Sequence, residues 1–240
     1  SNPFKNEMAA EKIYDLKDTT EKIVAIYKLL KARLKWNGDY GFWGRSSRNI
    51  LKDGSGDNAD INFVLINMLH DAGIKASPVV MSTRDHGRLP LSYPSMKFLN
   101  TFVVGAYTKD STMVFIDSSV DDGFLNVLPA NLLTDRARII EKNNCKWVNL
   151  QNIAQAKRDI RISAQLNPQG VLTGMVKSTS INNLAARVRD DFKHAKDSAT
   201  FVSQKAQEEG LEITKYSISD RTSFSPSVCE NYSFSKNCES

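Results

Sequence analysis

The chain has 240 residues, 41% hydrophobic and 25% charged, a composition that excludes a disordered polymer and supports one or two domains with cores of their own. Its 32 basic and 27 acidic residues leave a net charge of +5. They are interleaved, as in Arg187–Val188–Arg189–Asp190–Asp191–Phe192–Lys193, the pattern of a solvated helix face, and no aromatic-interleaved basic stripe marks a nucleic-acid surface.

The N-terminus, Ser1–Asn2–Pro3, has neither an initiator Met nor a basic and apolar leader, and reads as trimmed or processed, with a signal peptide removed. The first strong helix is predicted from Asp18, where Glu21 three residues on makes a capping-box-like start. Ile23, Ile26, Tyr27, Leu30 and Leu34 then form a helical stripe. The Gly- and aromatic-rich stretch from Trp36 to Gly44 ends it. A second helix is predicted from Asn58, with Ile61, Val64, Leu65, Met68, Leu69 and Ala72 on one face and Gly73 as its C-terminal cap.

Strands are predicted at Ala76–Thr83, Phe98–Tyr107 and Thr112–Asp117, the last two joined as a hairpin through Lys109–Asp110. From Asp117 to about Leu150 the pattern reads as loop. Beyond it Ile160–Leu166 alternates like a strand, Asn167–Pro168–Gln169–Gly170 is a turn, and Val171–Val176 returns as its partner. One long helix is predicted over roughly Ile181–Glu209, capped by Gly210, followed by a strand at Leu211–Tyr216. The chain stops within a strand-like pattern after Tyr232–Ser233–Phe234, as a fragment of a longer protein would. These elements predict an α+β chain of two modules, residues 1–150 and 151–240, the second truncated. No apolar run approaches the ~18–20 residues of a membrane span.

The three cysteines, Cys145, Cys229 and Cys238, lie past the midpoint, so the first 144 residues contain no thiol. They form no CxxC motif and no disulfide framework, although Cys229 and Cys238 flank the terminal strand and are candidates to pair. His70 and His194 have no metal-ligand spacing with another ligating residue, and Asp117, Asp121 and Asp122 lack the arrangement of a calcium loop. No metal or cofactor is expected.

Gly54–Ser55–Gly56–Asp57–Asn58–Ala59–Asp60–Ile61–Asn62 opens a helix that ends in Asp71–Ala72–Gly73–Ile74–Lys75–Ala76 and runs into a strand. This order resembles the transglutaminase-like superfamily, whose core has papain-like topology. More narrowly, Tyr27–Trp36 and Pro78–Gly87 are similar to the transglutaminase-like proteins of Bacteroidetes cell envelopes, over roughly residues 19–140. The resemblance implies a papain-like core of helices packed on an antiparallel sheet, followed by a smaller β-rich module with one long helix. It also implies a secreted or periplasmic location.

That family's chemistry uses a Cys at a helix N-terminus, where the dipole favours the thiolate, a His base on a neighbouring strand, and an Asp that orients it. Carried over position by position, the Cys falls on Asn58, the His on Thr101 after Asn100, and the Asp on Asp117. An Asn amide is no nucleophile and a Thr hydroxyl is no base near neutral pH. A degenerate triad is therefore expected, in a pseudoenzyme acting as a binding or scaffold module for a peptide, protein or glycan.

The residues themselves leave other roles open. Asn58 also suits a helix N-cap, as does Asp57. Asp117 also suits a turn, and Thr101 an ordinary strand position. His86 beside Asp85 pairs a base with an orienter, or is a solvated loop residue. Trp36, Tyr40, Phe42 and Trp43 suit either a ligand-binding rim or packing of the helix end. The cleft-lining candidates are Asp57, Trp36, Tyr40, Trp43, Asn100 and His86. An active acyl transferase or amide hydrolase with a replaced nucleophile would need Ser55, Asp57 or Asp60 helped by His86. A purely structural spacer is the third alternative.

Overall fold

The computed structural model describes residues 1–91, 96–142, 145–221 and 224–238. It is mixed α+β, and both of its larger sheets are antiparallel. The chain divides into two compact units, Ser1–Ala154 and Gln155–Ser240.

The first unit opens with α1 (Lys5–Ala10) and α2 (Thr19–Arg33). Asp18 caps α2 by accepting the Glu21 N–H at 2.8 Å, and its buried face carries Ile23, Ile26, Tyr27, Leu29 and Leu30. A two-residue strand, β1 (Lys35–Trp36), follows. The short helix α3 (Ser47–Asp53) leads to β2 (Ser55–Gly56), which pairs with β1 in parallel. This small pairing anchors both ends of the intervening aromatic loop beside the start of α4 (Asn58–Asp71).

Helix α4 is buried along most of its length. It ends in a Schellman arrangement: Ile74 N–H reaches Leu69 O at 2.9 Å and Gly73 N–H reaches His70 O at 3.0 Å. Gly73 sits at φ +74°, a conformation that costs a residue with a Cβ.

The chain then builds a five-stranded sheet from β3 (Ala76–Met81), β4 (Thr101–Tyr107), β5 (Met113–Ile116), β6 (Ala137–Ile139) and β7 (Lys146–Val148), in the order β5-β4-β3-β6-β7. Helix α4 packs on β4 and β3, with Phe63 against Phe102 at 4.7 Å between ring centroids. The opposite face buries Val79, Met81, Val103 and Phe115 against Leu128, Leu132 and Leu150. The stretch 117–150, predicted as loop, thus contributes two strands and much of this core; residues 143–144 of it lie outside the described residues. Strands β6 and β7 are three residues each, too short to alternate visibly, and form because β3 offers a free edge.

The second unit begins with the hairpin β8 (Lys157–Leu166) and β9 (Val171–Ile181), turned at Asn167–Gly170, where Asn167 Oδ1 accepts the N–H groups of Gln169 and Val171. The single long helix predicted over 181–209 is instead two, α5 (Asn183–His194) and α6 (Ser198–Glu209). Ala195 is extended, and Asp197 starts a new helix by accepting the Thr200 N–H at 2.7 Å. Arg189 is also not on a solvated face: its side chain is buried and donates to the carbonyls of Asp220, Ser225 and Ser227.

Strands β10 (Glu212–Ser219) and β11 (Ser227–Asn237) complete a sheet of order β10-β11-β9-β8. Helix α5 packs Ala185 and Val188 against Val228. Helix α6 packs Phe201 between Phe192 and Tyr216. Beneath it Lys205 Nζ lies 3.2 Å from both Glu209 and Glu230. All three cysteines are free. Cys229 and Cys238 lie toward opposite ends of the extended β11 segment, so at ~3.3 Å of rise per residue they are far beyond the 7 Å Cα limit for a disulfide.

Candidate functional site

The start of α4 brings together the three positions that the resemblance assigns to a triad. Asp57 is the helix N-cap, its Oδ1 accepting the Asp60 N–H at 2.8 Å. Asn58, freed from capping, is the first helical residue and points across to the sheet. Its Nδ2 donates to Thr101 Oγ1 at 2.7 Å and to Asp117 Oδ1 at 3.1 Å. Its Oδ1 accepts the Gly41 N–H at 2.9 Å, and because a backbone N–H only donates, the amide's orientation is determined. Thr101 opens β4 and Asp117 follows the last residue of β5.

One turn along the helix, Asn62 repeats the pattern. Its Nδ2 donates to Asp117 Oδ1 at 2.7 Å and to the Phe102 carbonyl at 2.9 Å, and its Oδ1 accepts the Ser118 N–H at 3.0 Å. Asp117 Oδ2 takes the Ser119 N–H at 3.0 Å and the Ser119 hydroxyl. The Asp117 carboxylate therefore collects two amide side chains on one oxygen and a turn on the other. The Tyr27 hydroxyl adds bonds to the Asp117 and Val120 carbonyls at 2.8 and 2.6 Å, and burial raises its pKa well above the ordinary value.

Asn58, Asn62, Thr101, Asp117 and Ser118 have relative exposures of 0%. Their polar atoms bond to one another rather than to an open cleft. Protein groups thus surround these five side chains on every side, and the cluster is closed to solvent.

The other candidates are dispersed. Trp36 and Tyr40 touch at 5.2 Å between centroids, and the Trp36 indole donates to Asp39 O at 2.6 Å, closing the loop on itself. The Tyr40 hydroxyl reaches Ser119 Oγ at 3.4 Å, and burial raises its pKa. Tyr40 packs against the core cluster that holds Val79, Met81 and Leu128, with Trp36 against its ring, whereas Trp43 is 76% exposed with Phe42 against its ring. Gly41 has no room for a side chain, because a Cβ there would meet the Asp57 carboxylate.

Asn100 fastens the end of β3 to the start of β4, donating to Thr83 Oγ1 at 2.8 Å and accepting Thr83 N–H at 2.9 Å. His86 lies on an exposed loop, its N–H bonded to Thr83 O, and its imidazole makes no hydrogen bond to Ser55 or Asp57. Asp60 is not a free carboxylate either: Arg45 donates to it from its backbone N–H at 2.6 Å and its Nε at 2.7 Å. Burial pushes the Asp57 carboxyl above its ordinary range.

Among the described residues, no group of three or more His, Cys, Asp or Glu gathers to hold a metal ion, and no helix is long and apolar enough to cross a membrane.

Asn62, Ser118, Ser119 and Arg45 were not among the predicted site residues. Asn58 and Asn62 do stand four apart, which places two amides on one helix face, but their acceptors come from β4 and the turn after β5. Set against known proteins, the chain matches no family model, no curated protein and no solved structure.

Proposed function

We propose that the first unit is a transglutaminase-like core whose reacting positions have become structural, in a secreted or periplasmic protein where it acts as a scaffold. The observation that carries this reading is the convergence of Asn58, Thr101 and Asp117 in one buried, mutually hydrogen-bonded cluster. The helix start, the strand start and the following strand end meet where the resemblance puts nucleophile, base and orienter. In place of a thiolate and an imidazole stand an amide and a hydroxyl, neither of which attacks a carbonyl or takes its proton near pH 7.

The closure of the cluster supports a scaffold over a peptide or glycan cleft at the old centre. A ligand there would have to displace satisfied buried bonds, each costing about 1–3 kcal/mol if left unmade. The test is incubation of the full chain with glutaminyl peptides and an amine, and separately with peptidase substrates. No turnover above the uncatalysed rate is expected. Turnover that disappears in Asp117→Ala would overturn the proposal.

A further inference from the structure

A second feature of the first unit lies on the sheet face that α4 covers. The register of β4, β3, β6 and β7 aligns Phe102, Val80, Arg138 and Trp147 in one cross-strand row. Phe102 sits under Phe63 of α4, and the helix packs on β4 and β3. Further along the row Arg138 and Trp147, with Ile140 beside them, floor a groove of about 460 Å³. Leu89, Leu91 and Met96, from the connection between β3 and β4, wall it. This volume is within the roughly 300–1,000 Å³ range of small-molecule sites.

Arg138 carries the only charge among the described residues that line the groove. Its guanidinium carbon stands 5.3 Å from the centroid of Trp147, held over the ring. Among the described residues its guanidinium has no hydrogen bond and no ion pair. The acidic residues near it in sequence are committed elsewhere: Glu141 to Lys75 at 3.0 Å and to the Tyr107 hydroxyl at 2.9 Å, and Asp135 to Arg88 and Arg136. A half-buried guanidinium in apolar surroundings, with its fork of donors unused, is complementary to one carboxylate.

We propose that this groove binds a small amphiphilic carboxylate of the fatty-acid type. The carboxylate would take the donors of Arg138 and the chain would lie on Ile140, Leu89 and Met96. An extended peptide fits less well, because the adjoining sheet edge, β7, is only three residues long and offers few main-chain bonds.

Binding of decanoate and of decanol to the full chain, followed by calorimetry and tryptophan fluorescence below micelle-forming concentrations, tests this. Decanoate is expected to bind about tenfold or more tightly than decanol, the increment of a charge-assisted pair. Arg138→Gln should remove that preference by weakening decanoate binding far more than decanol binding, while Arg138→Lys, which keeps the cation, should retain part of it. Thermal unfolding of each variant verifies that it is folded. Equal affinity for the acid and the alcohol, undiminished decanoate binding in Arg138→Gln, or no binding of either would overturn the proposal. Acetate binding as tightly as decanoate would also overturn it, since that marks a bare anion site.

Discussion

At the start of α4 two neighbouring residues divide roles for which both are chemically fit. Asp57 caps the helix and Asn58 turns its amide inward to Asp117 and Thr101. The division follows from charge: Asp57 is half-buried, whereas the position of Asn58 is fully closed and already adjoins a carboxylate. Asn58→Asp therefore places a second carboxylate against Asp117 and removes the amide donor. We predict a loss of about 3–5 kcal/mol in urea unfolding at pH 7. Repulsion and burial raise the pKa of the new carboxyl, so its destabilisation is full at high pH and is relieved as the pH falls and one proton is taken up. A cost below about 1 kcal/mol would show that the site is wetter than its burial implies. At this scale the sequence was informative about types and positions but not partners. Asn58, Thr101 and Asp117 could be marked through a resemblance. The closure of the site by Asn62, Ser118 and Gly41 depends on tertiary contacts that no local spacing encodes.

Elements were legible where a pattern persisted over several turns or alternations. The caps and stripes of α2 and α4 were read from Asp18 and Gly73, and the β4–β5 hairpin from its apolar runs. Strands β6 and β7 were missed because three residues cannot display a period, and the split between α5 and α6 was missed because the apolar spacing continues through it. There the deciding signal was the short polar side chain of Asp197, which competes for the backbone as an N-cap. Just past the end of β6, Glu141 joins the sheet to the start of β3, through Lys75, and to the end of β4, through Tyr107. The hydrogen bond from Lys75 holds the Glu141 carboxyl below its ordinary value of 4.5. A carboxyl depressed in the folded state contributes stability above its unfolded pKa and loses it as the pH falls through the folded value. Glu141→Gln should therefore cost up to about 1 kcal/mol at pH 7, and the difference from wild type should shrink below about pH 4.5 in thermal unfolding profiles. A difference that is constant from pH 7 to pH 3 would contradict this.

Across the whole molecule, helix-period segments followed by strand-period segments made the mixed α+β character readable. What composition could not convey is which surfaces remain open. Strand β8 is an edge strand exposed along its entire length, and Ile160, Ile162 and Leu166 share one of its faces. An edge of this kind templates pairing with other chains. Ile162→Lys should raise the temperature at which light scattering begins on heating, and an unchanged onset would show that aggregation starts elsewhere. The most direct measurement concerns the closed cluster in the first unit. Urea unfolding of Asn58→Ala, compared with wild type, is predicted to show a loss of about 2–4 kcal/mol, because Asp117, Thr101 and the Gly41 N–H lose a buried partner. Stability equal to or above that of wild type, the signature of a strained site kept for activity, would contradict the proposal that Asn58, Thr101 and Asp117 are structural.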